Sequence, residues 1–130
     1  MANTSITLEE LRILYNRWRT AWRPAFMGLA GTNNKSTFCV PKNYPYIKVI
    51  SGWDPDSITY PYALNYDGLV DNMPNPLNIC IEPTSGTVEH QIVKVNSPDP
   101  NFSCYIIQPV EYGEAQINNP LSVFIRMEEV

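Results

Sequence analysis

All twelve prolines of this 130-residue chain lie beyond residue 23. Proline fixes φ and lacks an amide hydrogen, so it breaks helices and is kept out of central ladder positions in sheets. The chain is divided by this alone. A helix of several turns has room before Pro24, and the remainder must be made of short elements with frequent turns.

The stretch before the first proline reads as a helix. "TLEELRILYNRWRTAW" starts with Thr7 as N-cap and places Glu10 three residues on, a capping box. Leu8, Leu11, Leu14, Tyr15, Trp18, Ala21 and Trp22 recur at helical spacing and make one apolar face. Glu9 and Glu10 sit at the positive end of the helix dipole, and Arg17, Arg19 and Arg23 near the negative end. The pattern predicts a helix over 8–22. Its apolar face is expected to pack on the sheet of its own chain, leaving Arg12, Arg19 and Arg23 outward for a partner.

Everything after Pro24 changes character. Short runs rich in Val, Ile, Tyr and Phe alternate with clusters of Pro, Asn, Asp, Gly and Ser, which is strand-and-turn punctuation. The predicted strands are Ser36–Val40, Tyr46–Ser51, Leu77–Glu82, Thr87–Val95, Phe102–Val110 and Leu121–Met127, with a weaker one over Ile58–Leu64. "EPTSGT" reads as a hairpin loop with Gly86 at the positive-φ position. In the last strand Leu121, Val123, Ile125 and Met127 share one side. Phe124 interrupts the polar side, which is therefore not wholly solvated. The stretch 52–76, with aspartates at 54, 56, 67 and 71, reads as one long loop. The expected class is α+β, mainly β, in a single domain 1–130. An N-terminal amphipathic helix packs on an antiparallel sheet of about six strands (a small sandwich or open barrel), with 36–128 as the β-rich part.

Composition narrows the class further. Charged residues make up 17% of the chain and hydrophobic ones 44%, and there are eight tyrosines, three tryptophans and four phenylalanines. Such a chain folds rather than remaining disordered. The N-terminus "MANTSITLEE" has no basic region followed by an apolar core, so no signal peptide is expected. Cys39, Cys80 and Cys104 are odd in number and widely spaced, each in an apolar run, and read as buried free thiols in a reducing compartment.

Little in the chain looks catalytic. His90 is the only histidine, and no Gly-x-Ser-x-Gly elbow exists, so His90 reads as a strand residue meeting solvent or a neighbouring side chain. Asp54, Asp56, Asp67 and Asp71 lack the EF-hand pattern and read as solvated turn carboxylates. "GLAGTNNKST" lacks the spacing of a phosphate-binding loop. No cofactor, metal or small-molecule site is expected, and no membrane span.

Two features point to binding. The triplet Tyr-Pro-Tyr occurs twice, at Tyr44 to Tyr46 and at Tyr60 to Tyr62. It reads as two strand entries, and also as part of an aromatic cluster of Tyr44, Tyr46, Trp53, Tyr60, Tyr62 and Tyr66 suited to a protein interface or a sugar. Charge is also split. Residues 1–42 carry six basic and two acidic side chains, giving +4, and residues 43–130 carry three basic and eleven acidic, giving −8. The acidic balance argues against nucleic acid. Complementary patches on one chain suit a head-to-tail contact between copies.

In composition the chain looks like a virion or assembly component, similar to small tail, neck and capsid-associated proteins of bacteriophages. That resemblance transfers no residue roles. It implies a non-catalytic structural protein, made in the host cytoplasm and placed in the virion, whose partners are its own copies and other virion proteins. The alternative is an aromatic-loop binding module for a host protein or carbohydrate. The candidate partner-binding residues are Arg12, Arg19, Arg23, Tyr44, Tyr46, Trp53, Tyr60 and Tyr62.

Overall fold

The computed structural model describes residues 5–30, 35–51, 63–80, 88–110 and 119–128. Helix α1 covers Leu8–Arg19. Among the described residues eight strands follow: β1 Arg23–Ala30, β2 Ser36–Pro41, β3 Tyr46–Ser51, β4 Ala63–Leu69, β5 Leu77–Cys80, β6 Val88–Val95, β7 Phe102–Pro109 and β8 Asn119–Arg126. They form two antiparallel sheets of four strands, in the orders β1-β8-β3-β4 and β2-β7-β6-β5.

The expectation of one sheet with about six strands is corrected to two sheets of four, and two elements account for the difference. β1 opens with Arg23-Pro24, a poor strand start. It is tolerated because β1 is an edge strand whose register shifts between Pro24 and Phe26. β4 lies inside the stretch read as a loop over 52–76. Its alternation is broken by a shift opposite Val49 and Ile50, where Tyr66 pairs with Val49 but Leu64 with Ile50. The first part of that stretch, the hairpin at "EPTSGT" and the weaker strand over Ile58–Leu64 up to residue 62 lie outside the described residues.

α1 keeps its predicted start. The Glu10 amide donates to Thr7 Oγ1 at 3.1 Å, and Thr7 Oγ1 donates to Glu10 Oε1 at 3.0 Å. It ends at Arg19 rather than residue 22. The Thr20 amide and hydroxyl both donate to the Asn16 carbonyl, and Arg23 already pairs with Ile125 in the sheet. Three residues are spent turning from helix to strand.

The two sheets enclose one core. Ile47 and Val49 of β3 and Leu121, Val123 and Ile125 of β8 face Phe38 and Val40 of β2, Ile79 of β5, Ile92 of β6, and Tyr105 and Ile107 of β7. Each buried aliphatic or aromatic side chain contributes about 1.5–3 kcal/mol. A polar clamp joins the sheets at one end. Asn65 is the extra residue at the β4 bulge. Its Nδ2 donates to Ser51 Oγ at 2.9 Å, while its Oδ1 accepts the Cys80 amide at 2.9 Å. Ser51 Oγ in turn donates to the Cys80 carbonyl at 2.7 Å.

The reading of three free thiols is also corrected. Cys39 and Cys104 stand directly opposite each other on β2 and β7, with Cα atoms 4.1 Å apart, and are joined in a disulfide. Their 65-residue separation hides this pairing, because sheet register and not chain distance brings them together. Cys80 is a free, half-buried thiol.

Candidate functional site

α1 does not pack on the sheet of its own chain. No residue of the helix is buried. Leu8, Leu11, Leu14, Tyr15 and Trp18 are all about half exposed or more, with Trp18 at 63% and Leu8 at 74%. Large apolar groups left in water in this number mark an interaction surface. The expected packing fails because α1 ends before it can fold back. A three-residue turn leads from it into the edge strand β1, and the sandwich core is already closed by side chains of the two sheets.

Among the described residues, α1 is tied to the body at its C-terminal end. Arg19 Nη1 donates to the Glu128 carbonyl at 3.0 Å. Arg23 donates to Tyr44 Oη at 2.6 Å and to the Trp18 carbonyl at 3.0 Å. Its guanidinium lies 4.6 Å from the centre of the Trp18 ring and 5.7 Å from that of Tyr44. Trp22 lies on the outer face of the first sheet, with Lys48 Nζ 4.6 Å and the Arg126 guanidinium 5.3 Å from its ring centre. Arg126 also stacks on Tyr46 at 4.0 Å. Alternating cations and rings thus fasten the base of the helix, each contact contributing about 0.5–1 kcal/mol where exposed.

That outer face continues to the β4 edge. Tyr46 pairs with Leu69, Lys48 with Asp67 and Ile50 with Leu64, so these residues share the side away from the core. Leu64 and Leu69 are exposed at 50% and 41%, and Asp67 and Asp71 are exposed as well. From β3 towards β8 the same face is closed: Ile50, Phe124 and Ser122 are buried, in keeping with the reading that this side is not wholly solvated.

The candidate residues fall into separate places. Arg12 is exposed on α1, while Arg19 and Arg23 are engaged within the chain. Tyr44 packs against the core and Tyr46 lies outside it. Tyr66 faces the core, and its hydroxyl donates to the Leu69 carbonyl at 2.6 Å. Burial and then the Asp67 charge raise its pKa above the usual phenol value. Trp53, Tyr60 and Tyr62 lie outside the described residues, as do Asp54 and Asp56. Trp22, Lys48 and Arg126 were missed as candidates. Their signal was a pair of basic residues at alternate positions in otherwise apolar strands, with an aromatic at the helix end.

Thr20, Trp22, Tyr46, Arg126 and Glu128 line an open cleft of about 560 Å³ at the helix base. His90 is buried on β6, opposite Ile79 and Pro109. Among the described residues no group of three or more His, Cys, Asp or Glu is placed to hold a metal ion, and no helix is long and apolar enough to cross a membrane. The chain matches no protein-family model, no curated protein and no solved structure.

Proposed function

We propose that this protein is a non-catalytic assembly subunit, a structural component of a bacteriophage particle, which joins copies of itself or other particle proteins through α1. The observation that carries the reading is the capped, amphipathic helix whose apolar side chains are each about half exposed or more while its base is fastened to the sandwich. A helix of twelve residues is marginal by itself in water. Its stability must come from packing, and its own chain does not supply that packing. Eight-stranded antiparallel double sheets occur in viral capsid domains and also in lectins. This is an analogy of architecture and assigns no residue a role.

The test is light scattering on the purified chain across protein and salt concentrations, with electron microscopy of the concentrated sample. The reading expects a mass of several chains, falling with dilution, and closed rings or tubes. A chain that stays monomeric at high concentration and low salt contradicts it. The viral assignment has its own test, the presence of the chain in purified particles by mass spectrometry.

A second reading draws on the cleft of about 560 Å³ at the helix base, where Trp22 and Tyr46 offer ring faces beside Arg126 and Glu128. Aromatic rings flanked by charged groups suit a carbohydrate or a host-protein loop. A glycan array decides it: binding lost in Trp22→Ala with the fold intact supports this module, and an empty array removes the sugar.

A further inference from the structure

We propose that the apolar face of α1 docks on the β4 rim of a second copy of this chain, head to tail. The inference rests on the assembly reading above and names the surface that receives the helix. The rim is Leu64, Asp67 and Leu69 on the outer face of the first sheet.

Three observations select this seat. The first is dimension. The stripe from Leu8 to Trp18 spans about 15 Å along a helix, and Leu64 to Leu69, opposite Ile50 and Tyr46 across the bulge, spans about 13 Å, so the two apolar surfaces are similar in length. The second is charge. Arg12 lies one turn beyond Leu8 and Arg19 one turn beyond Tyr15, so both border the apolar stripe. The rim opposes them with the exposed carboxylate of Asp67. This is a local form of the split between a basic start of the chain, +4 over 1–42, and an acidic remainder, −8. The third is geometry within one chain. Arg19 on the Glu128 carbonyl, Arg23 on the Trp18 carbonyl and Trp22 over Lys48 hold the helix base, and in that position α1 buries none of its face. Reaching its own rim would break these contacts, whereas the rim of a neighbour needs none of them broken. Donor and acceptor surfaces differ, so the contact is heterologous and repeats from copy to copy.

The experiment uses charge reversal on the full chain, with self-association read by analytical ultracentrifugation and folding by circular dichroism. Arg12→Glu alone and Asp67→Lys alone are each expected to weaken association at least tenfold at low salt, with unchanged spectra. An equimolar mixture of the two is expected to recover it, because Arg12 then meets Asp67 in one contact and Glu meets Lys in the next. Leu69→Glu is expected to weaken association without rescue by either variant. If Asp67→Lys and Leu69→Glu associate like the wild type while Arg12→Glu does not, α1 docks elsewhere, on another α1 or another face, and the seat is wrong although assembly stands. If both charge variants associate like the wild type, or the mixture fails to recover, the seat is likewise refuted. A wild-type chain that never associates removes the assembly reading itself.

Discussion

The guanidinium of Arg23 covers the Trp18 ring at 4.6 Å and donates to the Trp18 carbonyl at 3.0 Å, so the first residue of β1 clasps the last turn of α1. The same group donates to Tyr44 Oη at 2.6 Å. One side chain therefore joins helix, edge strand and the entry to β3. Arg23→Ala should lower stability by about 1–2 kcal/mol, seen as a fall of several degrees in Tm. Arg23→Lys should lie between, since an ammonium cannot reproduce the forked contact. An unchanged Tm in Arg23→Ala would show that the clasp contributes nothing.

Trp18 tests where the helix packs. A buried tryptophan cut to alanine costs about 3–5 kcal/mol. Trp18 is 63% exposed and meets its own chain chiefly through Arg23. In dilute monomer, Trp18→Ala should cost under about 1 kcal/mol by urea unfolding. A loss of several kcal/mol would mean that the face is buried within its own chain.

Asn65 tests the clamp between the sheets. It donates to Ser51 and accepts the Cys80 amide across the sandwich. Asn65→Ala leaves that amide without its side-chain acceptor, which should cost about 1–3 kcal/mol. Asn65→Asp keeps the acceptor but removes the donor to Ser51, and should recover part of the loss. Chemical denaturation of both variants measures the order.

Much of this was legible in the sequence, for identifiable reasons. The capping box of Thr7 and Glu10 is local chemistry and marked the helix start. Six strands announced themselves by β-branched runs between turn residues, and β3 matches its predicted limits of Tyr46 and Ser51. What stayed hidden depends on register. β1 has a proline at its second position and β4 carries a bulge, so neither shows a clean period of two. The Cys39–Cys104 bond exists because β2 lies beside β7. The helix face was readable as apolar, but periodicity records that a face will be buried and not by which molecule. Tyr44 and Tyr46 look alike in sequence, yet Tyr44 precedes β3 and packs against the core, whereas Tyr46 opens the strand and faces outward.

Tyr105 gives the fold an alkaline limit. Its ring is buried, and burial, followed by the charge of Asp71, raises its pKa above the ordinary phenol value of 10.0. The folded state therefore holds the neutral phenol, whereas the unfolded chain ionises near 10. This stabilising difference is fully present below pH 10 and is lost as pH rises through the raised folded value. Stability measured between pH 9 and 12 should fall steadily above 10, and Tyr105→Phe should flatten that slope while leaving the part due to Tyr66. An equal slope in the variant would place the alkaline transition elsewhere.

The central claim is that another subunit covers the apolar face of α1, and amide hydrogen exchange across protein concentration measures this directly. In a dilute monomer a solvent-exposed helix of twelve residues opens readily, and its amides exchange quickly. Amides of residues 8–19 should gain protection as concentration rises, in step with the mass of the assembly, while those of β3 and β8 are protected throughout. Rapid exchange of α1 at every concentration, or full protection in the dilute monomer, would contradict the account.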